Sequence, residues 1–231
     1  MSLDPATHCP FRRRRKEARP AELLDAALAL FVEKGFASTR SEEVARRAGV
    51  SKGTLYLYFP SKEELLKAVI QQFLADRIVE GAHEVDQAQG PTPALMENLL
   101  VDWWMRTYDG PASGVFKLIV SEVRNFPDIA QFYVERVIVP GNELCARLLR
   151  RGIDRGEFRE VDIDAAVHSI LMPMVLLCVH KHSLMPCGGV KSLGLDPEGF
   201  LRAHLALIFQ GLAVRAAPGP APASAAAVVP A

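Results

Sequence analysis

Cysteine is scarce and unpatterned. Cys9, Cys145, Cys178 and Cys187 are the four in 231 residues, and no pair has CxxC spacing. A chain this long, about half hydrophobic, buries a sizeable core without covalent staples, so free thiols are expected. Long apolar runs are missing as well. The longest, ILMPMVLLCV at 170–179, is too short to cross a bilayer, and the basic start MSLDPATHCPFRRRRK is followed by no apolar stretch of signal-peptide type. A cytoplasmic protein with no membrane partner is expected. The marks of catalysis are also absent: there is no nucleophile elbow, Walker loop, HExxH or repeated carboxylate pattern. His168, His180, His182 and His204 have no partner visible in the sequence. Neither an enzyme nor a cofactor is expected.

Net charge is zero, but it is unevenly spread. Residues 1–62 carry twelve Lys/Arg against seven Asp/Glu, and the remainder carries fifteen against twenty. The basic N-terminal part is therefore the one suited to a polyanion. The run Arg12-Arg13-Arg14-Arg15-Lys16 adds to it, either as a solvated tail or as a support for phosphate or minor-groove contact.

Periodic segments have a helical period, and none alternates like a strand. The first helix has Pro20 in its first turn, Leu23, Ala27, Leu30 and Phe31 on one face, and Gly35 at its end. Thr39 and Glu42 have capping-box spacing ahead of a second helix with Val44, Ala45 and Ala48 inward. Gly49 breaks the chain, Ser51 caps a third helix, and Ser61 with Glu64 opens a long fourth one running through Leu66, Ile70, Phe73 and Ile78 towards Ala88. Further helices are expected at about 94–108, 115–125, 128–155, 162–184 and 197–215. Pro140-Gly141 should kink the third of these, and Pro173 the fourth.

The third helix, within AGVSKGTLYLYFPSKEELL at 48–66, is too short to be stable alone. At about 100° per residue, Leu55 and Phe59 form one stripe that must face the first two helices. Gly53, Thr54 and Leu57 fall on the opposite side. Such a helix, packed on two others after a tight turn, is a helix-turn-helix whose far face is free to enter a major groove. Gly53 allows close approach, Lys52 supplies a cation, and Thr54 offers a hydroxyl and a methyl. Leu57 suits a thymine methyl. Tyr56, Tyr58 and Lys62 are expected at phosphates.

The ordered stretch GFASTRSEEVARRAGVSKGTLYLYFPSKEELL resembles the DNA-binding segment of the TetR (tetracycline-repressor-like) family over roughly residues 20–70. Ser41 stands where an apolar residue is usual, either loosening the second helix or turning towards DNA, and Tyr58 replaces the commoner His. Thr39, Arg40 and Ser51 complete the expected DNA-facing set. The resemblance implies an all-α homodimer with an N-terminal three-helix helix-turn-helix domain and a larger helical ligand-binding and dimerisation domain. It also implies a small-molecule effector and, usually, repression from double-stranded DNA with a palindromic operator. The expected division is a disordered basic arm at 1–18, the DNA-binding domain at 19–66, the larger domain at 67–216 and a disordered tail at 217–231. A DNA-binding protein without an effector, acting architecturally or by protein contacts, is the alternative.

In the larger domain the aromatic and Met residues at helical spacing read first as core. A pocket between kinked helices is nevertheless expected, with Phe73, Trp103, Phe116, Phe132, Met172 and Met174 as lining and Arg106 and His168 as its polar residues. Leu201, Leu205, Ile208, Phe209 and Leu212 form a stripe expected to pair with the 162–184 helix across a twofold axis, with packing inside the chain as the alternative. CVHKHSLMPC brings Cys178, His180, His182 and Cys187 close in sequence, but His180 lies far around the helix from Cys178 and His182. No metal and no redox switch are expected there.

Overall fold

The computed structural model describes residues 10–187 and 195–214, with the side chains of 10–18 and of Cys187 left aside. Eleven α-helices are found among these residues. The only extended pairing there is an isolated antiparallel bridge between Phe158 and Ala213.

Helix α1 (Pro10–Lys34) runs back through the arginine cluster, where a disordered arm was expected up to residue 18. Arg, Lys, Glu and Ala are good helix formers, so the helical backbone continues on both sides of Pro20. Residues 1–9 and 215–231 lie outside the described part, and with them the rest of the arm and the expected tail.

Helices α2 (Ser41–Arg47) and α3 (Lys52–Tyr58) follow. The turn between them needs a left-handed residue, and Gly49 supplies it at φ +67°. Leu23, Ala27, Phe31, Phe36, Val44, Ala45 and Leu55 are buried together, and this shared core holds a two-turn helix that would melt alone. Ser41 is also buried, so its open choice resolves towards the core.

Ser61 caps α4 (Lys62–Ile70), its Oγ accepting from Glu64 N at 3.0 Å. The long helix then passes through one π-helical turn, Gln71–Ala75, into α5 (Asp76–Gln87). Helices α6 (Thr92–Asp109) and α7 (Ser113–Glu122) come next. Helix α8 (Pro127–Tyr133), a second π turn (Val134–Ile138) and α9 (Val139–Asp154) form the expected 128–155 segment. The irregularity expected at Pro140 thus takes the form of a π turn just ahead of it. Proline has no N–H to give and its ring crowds the carbonyl four residues back, so the widened turn absorbs the conflict.

Helix α10 (Ile163–Ser183) keeps Pro173 inside its length. The whole helix, unlike the run of apolar residues within it, is by length and composition sufficient to cross a membrane, as the core helix of a soluble protein also can be. Its buried residues Val167, Ile170, Met174, Leu177 and Cys178 face the interior, where α10 packs on α7, α9 and α11 (Pro197–Leu212).

Candidate nucleic-acid interface and ligand cavity

The outward face of α3 follows from its inward one. Leu55 is 0% exposed, and two residues on Leu57 is 84% exposed. Ser51 Oγ accepts from Thr54 N at 3.1 Å and lies 2.9 Å from the Thr54 hydroxyl, which ties both hydroxyls to the helix start. A Cβ on Gly53 would meet only Ser51 Oγ, at 3.8 Å, so this part of the face is open. Tyr56 is partly exposed, and Lys52 Nζ sits 5.7 Å from its ring centroid. Lys52 also pairs with Glu42 on α2, and this bond raises the lysine pKa and lowers that of Glu42.

Two expected DNA contacts are structural. Thr39 is buried, its hydroxyl within bonding distance of the carbonyls of Gly35 (2.8 Å) and Leu30 (3.2 Å). It does not cap α2 either. The carboxylate that closes that helix start belongs to Glu43, which accepts from Arg40 N at 3.2 Å, and Arg40 itself is exposed. Lys62 turns inward. Its ammonium donates to the carbonyls of Phe36, Ala37 and Thr39 at 2.9, 3.2 and 3.1 Å and lies 4.5 Å from the Phe36 ring centroid. An ammonium has three donors, and all three are used here.

In the larger domain a cavity of about 150 Å³ is lined by α5, α6, α7, α8, α9, α10 and the second π turn. Trp103 and Phe116 are in its wall. Ile78, Gly81, Val85, Leu144, Cys145 and Val137 complete much of the wall and were not anticipated. Their sequence signal is weak, because aliphatic residues at helical spacing read as core whether they meet protein or a void. Burial pushes the Cys145 thiol and the Tyr133 phenol each up to about 12, so both stay neutral. Trp104 packs against Phe116 with ring centroids 5.6 Å apart, and its buried Nε1–H has no acceptor among the described residues.

A second cavity of about 190 Å³ adjoins the first and contains Phe73 and Arg106. The remaining expected pocket residues lie elsewhere. Met174 is fully buried core, Met172 is 62% exposed, and Phe132 packs outside both cavities beneath Arg136. His168 is exposed, its Nδ1 2.7 Å from Asp164 O. An inward stripe on a helix has room only for residues in phase with it, and His168 and Met172 are in phase with each other on the outward side of α10.

The α11 stripe is likewise internal. Leu201, Leu205 and Leu212 are buried within the chain, Ile208 is half-buried, and Phe209 stacks on Phe158 at 5.9 Å. Cys178 is buried with its thiol pushed up to about 12, while His182 Nε2 bonds Ser113 Oγ at 2.8 Å. The Cys187 side chain lies outside the described residues, and no group of three metal-ligating side chains occurs among those described.

A recognition-type helix presented by two others, continued by one long helix into a helical domain with an apolar cavity, defines a helix-turn-helix DNA-binding protein with a separate ligand-type domain. Comparison with known proteins gives the family. Residues 23–69 match the bacterial regulatory proteins of the tetR family, and residues 98–186 match the tetracyclin repressor-like C-terminal domain. The HTH-type transcriptional regulator YfiR of Bacillus subtilis is 32% identical over 164 residues, covering 69% of this chain and 77% of that protein. The HTH-type transcriptional repressor KstR2 of Rhodococcus jostii is 30% identical over 153 residues, covering 65% and 74%. The crystal structure of FadR from Bacillus subtilis with stearoyl-CoA superimposes with a TM-score of 0.70 at 19% identity, over 83% of this chain and 98% of that one. The chain belongs to the TetR family of transcriptional regulators.

Proposed function

We propose that the protein is a homodimeric repressor of the cytoplasm, released from a palindromic operator when a small, largely apolar molecule enters the cavity. The observation that carries the DNA half of this reading is Leu57, 84% exposed in the last turn of a helix that exists only because its neighbours hold it. A solvent-facing leucine there is poorly placed for solubility and well placed for a thymine methyl. Lys52, Gly53, Thr54, Tyr56 and Tyr58 surround it, and Arg40 and Ser51 flank the same side.

Dimerisation is assigned to the outward side of the last two helices. Met172 and Leu176 on α10 and Leu207 on α11 are each more than 60% exposed, and a twofold pairing of those helices buries them. A dimer of this kind sets two α3 helices about 34–36 Å apart, or a multiple of that, and so requires an inverted repeat.

Two elements link cavity to reader. Helix α5 lines the cavity with Ile78 and Gly81 and joins α4 through the π turn, across which Gln71 Nε2 donates to Asp76 Oδ1 at 2.7 Å. Such turns often mark functional sites, and a change of register here re-aims α4. Helix α7 places Phe116 in the cavity wall, and the next residue, Lys117, donates to Val32 O of α1 at 3.1 Å.

Selection of bound fragments from random DNA tests the reading, with a palindrome as the expected result and no palindrome at any salt as the result that ends it. The control mechanism is tested by reciprocity. A ligand that weakens operator binding tenfold, which takes about 1.4 kcal/mol of coupling, must itself bind tenfold more weakly when operator is present. Equal ligand affinity with and without DNA removes the effector and leaves the effector-independent DNA-binding protein.

A further inference from the structure

The inner cavity accepts an apolar body, and beyond the Asn142 amide and the unpartnered Trp104 Nε1–H, both uncharged, it has little to offer a polar end. Among the described residues its one charged lining side chain is Glu84, and its Tyr133 and Cys145 remain neutral. The outer cavity differs in kind. It contains Arg77, Glu80, Glu84 and Arg106 with two aromatic rings, Phe73 and Trp103. Gly81, Glu84 and Trp103 line both spaces, so the two cavities are neighbours with these three residues in common.

The charges at this junction are not equally satisfied. Arg77 Nη1 pairs with Glu80 Oε2 at 3.0 Å. Arg106 closes on Asp102 at 2.5 Å and reaches Glu84 only at 3.9 Å. Glu84 is thus the carboxylate with the weakest protein partner, it is half exposed, and it shares the walls of both cavities with Trp103. Carboxylate and indole face together are the chemistry that holds an alkylammonium. An anionic head would meet Glu80 and Glu84 and would have to take both guanidinium groups from their present partners.

Resting on the effector reading above, we propose that the effector is a cationic amphiphile, its apolar part in the inner cavity and its positively charged nitrogen at the neck between Glu84 and Trp103. Gly81 keeps that neck open. A Cβ there would lie 3.6 Å from Leu144 Cδ2 and 4.0 Å from Trp103 Cδ1, so a methyl fits and a branched side chain fills the passage.

Three probes of equal chain length separate the head from the body: decyltrimethylammonium, decanol and decanoate, each titrated below its micelle-forming concentration into the full-length protein. Both tryptophans of the chain, Trp103 and Trp104, line the inner cavity and report occupancy by fluorescence. The ammonium is expected to bind about tenfold more tightly than decanol, and decanoate more weakly than either. Glu84→Gln is expected to bring the ammonium-to-alcohol affinity ratio close to one, and Glu84→Asp to keep part of it. Because the readout is a ratio on one protein, a general loss of folding cannot imitate it. Gly81→Leu is expected to weaken the ammonium probe tenfold or more. Decanoate binding as tightly as the ammonium, or a ratio untouched by Glu84→Gln, overturns the inference. If alcohol and carboxylate release operator without any preference for the ammonium, the charge assignment falls and the effector reading stands. If none of the three binds, both fall.

Discussion

Helix α3 and the cavity wall solve opposite problems with the same kind of residue. On α3 a leucine is set out in solvent, because the partner is to be a base edge. Around the cavity, Leu144, Val85 and Ile78 are turned inward to a space that protein does not fill. One surface is convex and arises from the spacing of a few residues in a row. The other is concave and assembled from six helices that are distant in sequence. The reader is therefore a local property of the chain, and the cavity a property of the whole domain.

The sharpest way to break this contrast is the pair Leu55 and Leu57. Leu55→Ala opens the reader's core and should cost about 2–5 kcal/mol in denaturant unfolding. Leu57→Ala should change stability by no more than about 0.5 kcal/mol while altering which bases are selected in random-site experiments. Equal stability losses for the two would mean that α3 does not present its far face.

Lys62 comes next. Lys62→Met leaves the carbonyls of Phe36, Ala37 and Thr39 without their donor and should destabilise the protein by about 1–3 kcal/mol. The salt dependence of DNA binding should not change. A fall of about one in that slope would return Lys62 to the phosphate backbone, as its place in the motif suggests.

The cavity wall has its own signature in pH. The Cys145 thiol is pushed from its ordinary 9.0 up to about 12 by burial. The neutral thiol is favoured in the native state, so its contribution is complete below about pH 9 and is lost as pH rises towards 12. There the unfolded chain binds fewer protons and stability falls with pH, with a slope of up to about 1.4 kcal/mol per pH unit for one such group. Melting curves between pH 8 and 10.5 should show a shallower decline for Cys145→Ala than for the natural protein, and parallel curves would count against a buried thiol.

The smallest effect is expected at the exposed pair of Lys52 and Glu42. Glu42→Gln frees the Lys52 ammonium for a phosphate and should tighten DNA binding at low salt by about two- to threefold. The gain should vanish at high salt, which competition binding at two ionic strengths measures.

Much of the fold was legible because helix punctuation is local. Gly49, the caps at Ser51 and Ser61, and the breaks near Gly110, Pro127 and Gly156 sit where the chain turns. The capping box at Thr39 was misread by one residue, since Glu42 and Glu43 are adjacent and only the helix start selects between them. Lys62 was misread for a related reason. Sequence places a lysine near a DNA face, but its three acceptors come from the turn after α1, more than twenty residues away. Phe116 and Trp103 were found in the cavity because they are large and periodic, whereas Met174 satisfies the same pattern as plain core.

The sequence by itself determined the all-helical grammar, the inward stripe of α3 and hence its outward face, because each depends on angles between residues a few positions apart. The tertiary structure decided which apolar residues meet protein and which meet empty space. It turned the Leu201, Leu205 and Leu212 stripe inward and left Met172 and Leu176 outside, and it placed Glu84 and Trp103 in the walls of two neighbouring cavities. Those choices depend on where separate helices come to rest against one another, and helical periodicity alone carries no information about distance between helices.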